Sequence, residues 1–129
     1  MATNEEGGRR YLRGETPRIG DVMDIEEMQE RVDRWIGQFE EGYFPPAIIM
    51  LRLAEEVGEL AREINDRFGM KPKRPDEPEG SVELELGDCL FVLISLANSL
   101  DIRLDDVFTA VMEKFQARDA NRWTRKTSP

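Results

Sequence analysis

Apolar side chains recur at three- and four-residue intervals through most of this sequence, a spacing that predicts helices rather than strands. Ile25, Met28, Val32, Trp35, Ile36 and Phe39 predict a first helix over 24–40, with Asp21 or Asp24 as its cap and acids in its first turn. "EGYFPP" then breaks the pattern. Pro45 or Pro46 suits the first turn of a second helix, which Met50, Leu53, Ala54, Val57, Leu60, Ala61 and Ile64 carry to residue 68, where Gly69 can end it. Ser81 is a good cap for a third helix, "VELELGDCLFVLISLANSL", ending at residue 100. The run 89–97 fits a buried strand on periodicity alone, but its length and its Leu and Ala content favour helix. Asp105 and Asp106 open a fourth helix bearing Val107, Phe108, Val111, Met112 and Phe115. The expected fold is all-α, with four main helices.

Two features qualify that picture. The third helix is apolar nearly all round from Cys89 to Leu96, more than one small chain can cover, so a partner subunit is expected to complete the bundle. The segment 69–80, "GMKPKRPDEPEG", is a long loop for a compact helical domain, and Lys71, Lys73 and Arg74 stand at its start. Residues 1–20 hold four glycines and few large apolar side chains and read as a flexible arm; 21–129 read as the domain, with a basic C-terminal tail.

Composition narrows the function. The chain has 129 residues and a net charge of −9, unevenly spread: residues 21–113 carry nine basic and 23 acidic side chains, whereas 114–129 carry five basic and one acidic. An acidic body disfavours nucleic acid and anionic membranes as partners, and no apolar run is long enough to span a bilayer. The polar N-terminus does not read as a secretory signal, and a single cysteine fits a reducing cytoplasm. Histidine is absent. That removes the commonest transition-metal ligand and the usual neutral-pH base.

The carboxylates are the candidate chemistry. In "LAEEVGELAREI", Glu55, Glu56, Glu59 and Glu63 fall within about 100° of the helical wheel, one acidic stripe beside the apolar one. Taken alone, that stripe fits a solvated face. Glu85 and Asp88, three apart and hence on one face, head the most apolar segment, and no Lys or Arg lies between Arg74 and Arg103. A bare buried carboxylate costs several kcal/mol, so the pair needs an arginine from elsewhere (Arg62 or Arg67), a proton, or a metal cation, unless this first turn faces the surface, which weakens the problem. Glu56-x-x-Glu59 facing Glu85-x-x-Asp88 across an antiparallel helix pair would repel without cations between them. Oxygen-only ligands select Mg²⁺, with Mn²⁺ as substitute. A ferritin-like di-iron site wants Glu-x-x-His and is excluded. Lys114 and Arg118, four apart, either meet phosphates or compensate the helix dipole.

These residues resemble the MazG-like nucleotide pyrophosphohydrolases, whose signature is E-E-x-x-E, a spacer, then E-x-x-D. Here it reads Glu55-Glu56-Val57-Gly58-Glu59, twenty-five residues, then Glu85-Leu86-Gly87-Asp88. "IGQFEEGYFPP", "ELGDCLFVLISLANSL" and "MEKFQARDANRWT" are similar to the short single-domain bacterial members, and the likeness covers roughly residues 22–126. Gln116 stands where close relatives are expected to carry Asn. The resemblance implies hydrolysis of a nucleoside triphosphate between the α- and β-phosphates, with Mg²⁺, in a homodimer or a tetramer of two dimers. By match to the motif, Glu56, Glu59, Glu85 and Asp88 are metal ligands, and Glu55 handles the attacking water or touches a further metal. Lys114, Arg118 and Arg122, with Lys71 or Lys73, would meet phosphates. Glu63 shares the stripe but not the signature and reads as solvated.

For a base, Trp35, Phe39, Tyr43 and Phe44 offer stacking surfaces, Asn98 a hydrogen-bonding edge and Trp123 a cover; core packing is the stronger reading of Trp35 and Phe39, and Trp123 fits a subunit contact as well as the site. Cys89 reads as core. The rival reading is a non-catalytic helical interaction module with a surface acidic stripe. Base and sugar preference are not legible, so house-cleaning of damaged nucleotides, control of dUTP or dCTP, and effects on alarmone levels are all compatible with the resemblance.

Overall fold

The structure is a computed structural model and describes residues 22–127; the arm expected over 1–20 lies outside the described residues. Among the described residues it is all-α, with four helices: α1 (Ile25–Gly37), α2 (Pro46–Phe68), α3 (Val82–Ser99) and α4 (Leu104–Asp119).

Each boundary has a local cause. Asp24 caps α1, its carboxylate accepting the Glu27 amide at 2.8 Å. The helix ends at Gly37, three residues short of the expected 40. The Gln38 side-chain amide donates to the Trp35 carbonyl at 3.0 Å, and the Phe39 amide turns to Ile36 instead, closing the last turn early. Pro46 opens α2, and the Gly69 amide closes it on the Asn65 carbonyl. Gly69 is extended rather than left-handed; a Cβ there would sit 2.7 Å from the Asn65 side-chain oxygen and 2.9 Å from its Cα, so close approach is what requires glycine. Ser81 caps α3 by accepting the Leu84 amide.

The turn between α3 and α4 is a Schellman motif, with Ile102 N–H on the Ala97 carbonyl and Asp101 N–H on Asn98, placing Asp101 at φ 54°. The first amide of α4, on Leu104, is accepted by the Gln29 side chain of α1 at 2.9 Å. Gln29 also donates to Asn98 and to the Ile102 carbonyl, while Asn98 donates to the Gln29 carbonyl and to the Tyr43 hydroxyl, which in turn donates to Asp33. Burial and then the Asp33 hydrogen bond push the Tyr43 phenol up to about 12, so it stays a donor. This hub ties α1, α3, the α1–α2 loop and the start of α4 together.

Contacts descend along α2 as they ascend along α3: Arg67 reaches Glu83, Glu56 reaches Glu85 and Asp88, and Ile48 and Arg52 share a cleft with Phe91 and Ser95. The two helices are therefore antiparallel. Helix α1 packs on α3 and α4 docks on α1. The core is small: Val32, Ile49, Val92, Ile94 and Ala97 are buried. On α2 the residues buried are Ile49 and Glu63, seven-spaced with Glu56 half-buried in the same column, whereas Met50, Val57 and Ile64 of the apolar stripe lie exposed. The buried and half-buried column of α2 thus mixes Ile49 and, from the apolar stripe, Leu53 and Leu60 with Glu56 and Glu63 of the acidic one, a mixture that hydrophobic periodicity does not imply. Leu90, Phe91 and Leu93 of α3 and Phe108 and Phe115 of α4 are also exposed.

Asp101 occupies a conformation that costs a side chain but not glycine. Asp101→Gly should raise stability by about 1 kcal/mol, read as an increased urea midpoint with unchanged slope.

Candidate active site

Helices α2 and α3 meet where both carry acid. Carboxylate oxygens of Glu56, Glu85 and Asp88 lie within 4.8 Å of one another, the first two half-buried and the third exposed. Glu56 is positioned by the i, i+7 column it shares with buried Ile49 and Glu63; Glu85 and Asp88 occupy the first two turns of α3, fixed by the Ser81 cap. Glu59, exposed, is not one of the three. Its charge still reaches Glu85: burial first, then Asp88, Glu56, Glu59 and Glu63, push the Glu85 carboxyl above its ordinary 4.5.

The arginines that could have relieved this crowding are engaged elsewhere. Arg62 pairs with Glu77 at 2.6 Å and Arg67 with Glu83 at 3.6 Å. With the arginine remedy unused, the exposed Asp88 is open to solvent, and the half-buried Glu56 and Glu85 suit a proton or a cation. Three converging carboxylates without nitrogen or sulfur donors suit a hard divalent ion. Cys89, next to Asp88, is half-buried, and its thiol is pushed up by burial and then by Glu56, Glu85 and Asp88. It is thus held as an unreactive thiol.

Glu63 departs from expectation. It is buried, 6% exposed, and its carboxylate is ion-paired with the Lys73 ammonium, which also donates to the Pro78 carbonyl at 3.1 Å. The solvated reading of Glu63 is corrected: the stripe turns inward one helical turn beyond Glu59. Lys73, expected at phosphates, is committed to Glu63. Lys71 is exposed and lines a groove of about 500 Å³ between α2 and the loop, with Asn65, Arg62 and Arg74.

On the other side of Glu56, Glu55 lines a cleft of about 650 Å³ with Trp35, Phe39, Tyr43, Phe44, Arg52 and Phe91. Trp35 and Phe39 meet edge to face, centroids 5.4 Å apart, and are 57% and 49% exposed. Within one chain they line the cleft and are not packed in its core. Consecutive glutamates therefore serve two compartments: Glu56 the carboxylate cluster, Glu55 the aromatic cleft. Asn98 is not brought into the cleft; its amide is consumed by the hub with Gln29 and Tyr43, and it supports the wall from behind.

The basic residues near the C-terminus gather on each other's neighbours. Lys114 and Arg118 lie over the Phe115 ring at 5.2 and 5.5 Å, Arg118 pairs with Asp119, and Arg122 lies over Trp123, itself 73% exposed. Within one chain none of the three pairs with Glu56, Glu85 or Asp88 among the described residues. Sequence reasoning missed Gln29, Arg52 and the Lys73–Glu63 pair; the seven-residue spacing of Ile49, Glu56 and Glu63 was the available sign of the last.

Fold and site define a class: an all-α chain that gathers three carboxylates beside an aromatic cleft. A family model for the MazG nucleotide pyrophosphohydrolase domain matches residues 44–123, and the chain belongs to that family. It is 58% identical over 102 residues to the Bacillus subtilis protein YpjD, covering 79% of this chain and 92% of that one. The crystal structure of YpjD superposes with a TM-score of 0.67 at 55% identity, covering 74% of this chain and 97% of the other. That of the Bacillus-conserved MazG protein, a nucleotide pyrophosphohydrolase, gives 0.65 at 44% identity, covering 84% and 99%. The protein is a nucleotide pyrophosphohydrolase, and the interaction-module reading falls.

The cluster should bind a divalent cation saturably. Mn²⁺ titration should raise the melting temperature by a few degrees in the wild type and not in Asp88→Asn, measured by calorimetry. Because Glu85 holds its proton more tightly than an ordinary glutamate, affinity should begin to fall at a higher pH on acidification than an unperturbed carboxylate would allow, and Glu85→Gln should remove that step.

Proposed function

We propose that this protein hydrolyses a nucleoside triphosphate, a dNTP or a non-canonical NTP, between the α- and β-phosphates. Water is consumed, and a nucleoside monophosphate and pyrophosphate leave. The reading rests above all on the convergence of Glu56, Glu85 and Asp88 one residue away from an aromatic cleft. Glu56, Glu85 and Asp88, with Glu59 beside them, would hold Mg²⁺, or Mn²⁺ in its place. When bound, the ion supplies charge neutralisation at the phosphate and lowers the pKa of a coordinated water.

The chain's own residues do the rest. Phosphoryl transfer demands positioning and charge compensation more than covalent help, so neither histidine nor an activated cysteine is needed. Glu55 accepts the proton of the attacking water at the cleft rim. Trp35 and Phe39 stack on the base, Tyr43 and Phe44 complete the wall, and Asn98 holds Tyr43 in place. Lys114, Arg118 and Arg122, with Lys71 at the loop, meet the phosphates, and Trp123 closes over the nucleotide. In one chain the three basic side chains of α4 and the tail contact their own neighbours, and apolar faces of α2, α3 and α4 lie bare. A homodimer, or a tetramer of two dimers, would cover those faces and bring basic groups to the cleft. A lone cysteine fits a cytoplasmic role in cleansing the nucleotide pool.

Wild-type protein with Mg²⁺ should release pyrophosphate from at least one member of a panel of canonical and modified (d)NTPs. Glu56→Gln and Asp88→Asn should lose about a hundredfold or more in kcat while remaining folded. Release of orthophosphate alone, or full activity in both variants, would overturn the assignment.

A further inference from the structure

The loop 69–80 is tied to α2 by one half-buried lysine. The Lys73 backbone amide donates to Asp66 at 2.7 Å, and its ammonium reaches both the Glu63 carboxylate and the Pro78 carbonyl. One side chain thus joins both limbs of the loop to the helix. At the far limb, Gly80 lies directly against Glu63, so close that a methyl at residue 80 would collide with the carboxylate. The next residue is Ser81, the cap of α3, and Glu85 and Asp88 follow within two turns. An outer tie, Arg62 and Arg74 on Glu77, braces the same loop at the surface.

We infer that Lys73, Glu63 and Gly80 form a latch that fixes where α3 begins against α2, and so sets Glu85 and Asp88 opposite Glu56. Lys73 is a positioning residue of the cation site rather than a phosphate ligand. The inference rests on the metal reading proposed above. A helix moves as a stiff rod with about 1.5 Å rise per residue, so a displaced α3 start carries both carboxylates with it. Mg²⁺ accepts little deviation from ligand distances of about 2.0–2.1 Å, so a small displacement matters. A buried ion pair is a poor source of net stability, but it is costly to break by half, which suits a device that selects one arrangement. The latch also takes Glu63 out of the set of carboxylates open to a cation, although it stands one turn beyond Glu59.

The test uses the full chain and the double variant Glu63→Gln/Lys73→Met, which leaves the pair's net charge unchanged, so that geometry rather than potential is read. Mn²⁺ affinity by electron paramagnetic resonance, without nucleotide, should weaken about tenfold or more. Amide exchange over 82–88 should quicken, and kcat should fall with KM for the nucleotide little altered. Gly80→Ala, which keeps both charges, should move all three readouts the same way and serves if the double variant does not fold. Wild-type Mn²⁺ affinity and unchanged exchange in the variants would overturn the latch. Unchanged Mn²⁺ affinity with a raised KM would place Lys73 on phosphate instead and overturn it too. A wild-type chain that binds no Mn²⁺ would sink the metal reading, while exchange over 82–88 would still decide whether the latch positions α3.

Discussion

The structure depends on carboxylates held together at the seam between α2 and α3. Glu56, Glu85 and Asp88 converge within 4.8 Å, with Glu59 and Glu63 acting on the same locus. Like charges at that distance oppose the packing of the two helices that carry them, the more so where Glu56 and Glu85 are half-buried. The rest of the arrangement can be understood as what makes the seam tolerable. Lys73 compensates Glu63 at the loop end. Glu85 retains its proton more readily than a free glutamate. Among the described residues the central trio has no basic partner, because Arg62 and Arg67 are drawn to Glu77 and Glu83.

Such a seam divides labour along one helix. Residues of α2 that look alike on a wheel face different surroundings: Glu55 the aromatic cleft, Glu56 the trio, Glu63 a half-buried lysine. The cleft wall is itself supported from behind, since Asn98 and Gln29 anchor Tyr43 and cap α4. Binding surface, acid cluster and scaffold are therefore mechanically continuous through α3. The same arrangement leaves part of the apolar stripe of α2 turned outward, where Met50, Val57 and Ile64 lie exposed.

Much of this was legible in the sequence, because it follows from local rules. Periodicity gave the four helices, and Asp24, Pro46 and Ser81 gave three of their starts, since caps and first-turn prolines act within a few residues. The spacings Glu56-x-x-Glu59 and Glu85-x-x-Asp88 put carboxylates on facing helices, although Glu59 stays exposed outside the trio. The end of α1 was missed because a side chain, Gln38, competes for a backbone carbonyl, a contest that periodicity does not register.

What only the tertiary structure decided was which way the ambiguous side chains face. Glu63 and Lys73 are ten residues apart across a loop rich in proline, and only the folded loop brings the ammonium to the carboxylate. Asn98 and Gln29, sixty-nine apart, meet through helix packing, which removed Asn98 from the cleft. Trp35 and Phe39 carry the same apolar signature whether they fill a core or wall a cleft, and the neighbouring elements alone distinguish the two. Sequence fixes what each residue can do within its own turn of helix, by backbone geometry and charge. Which charge is buried against which depends on contacts between distant segments, and their energies belong to the assembled fold.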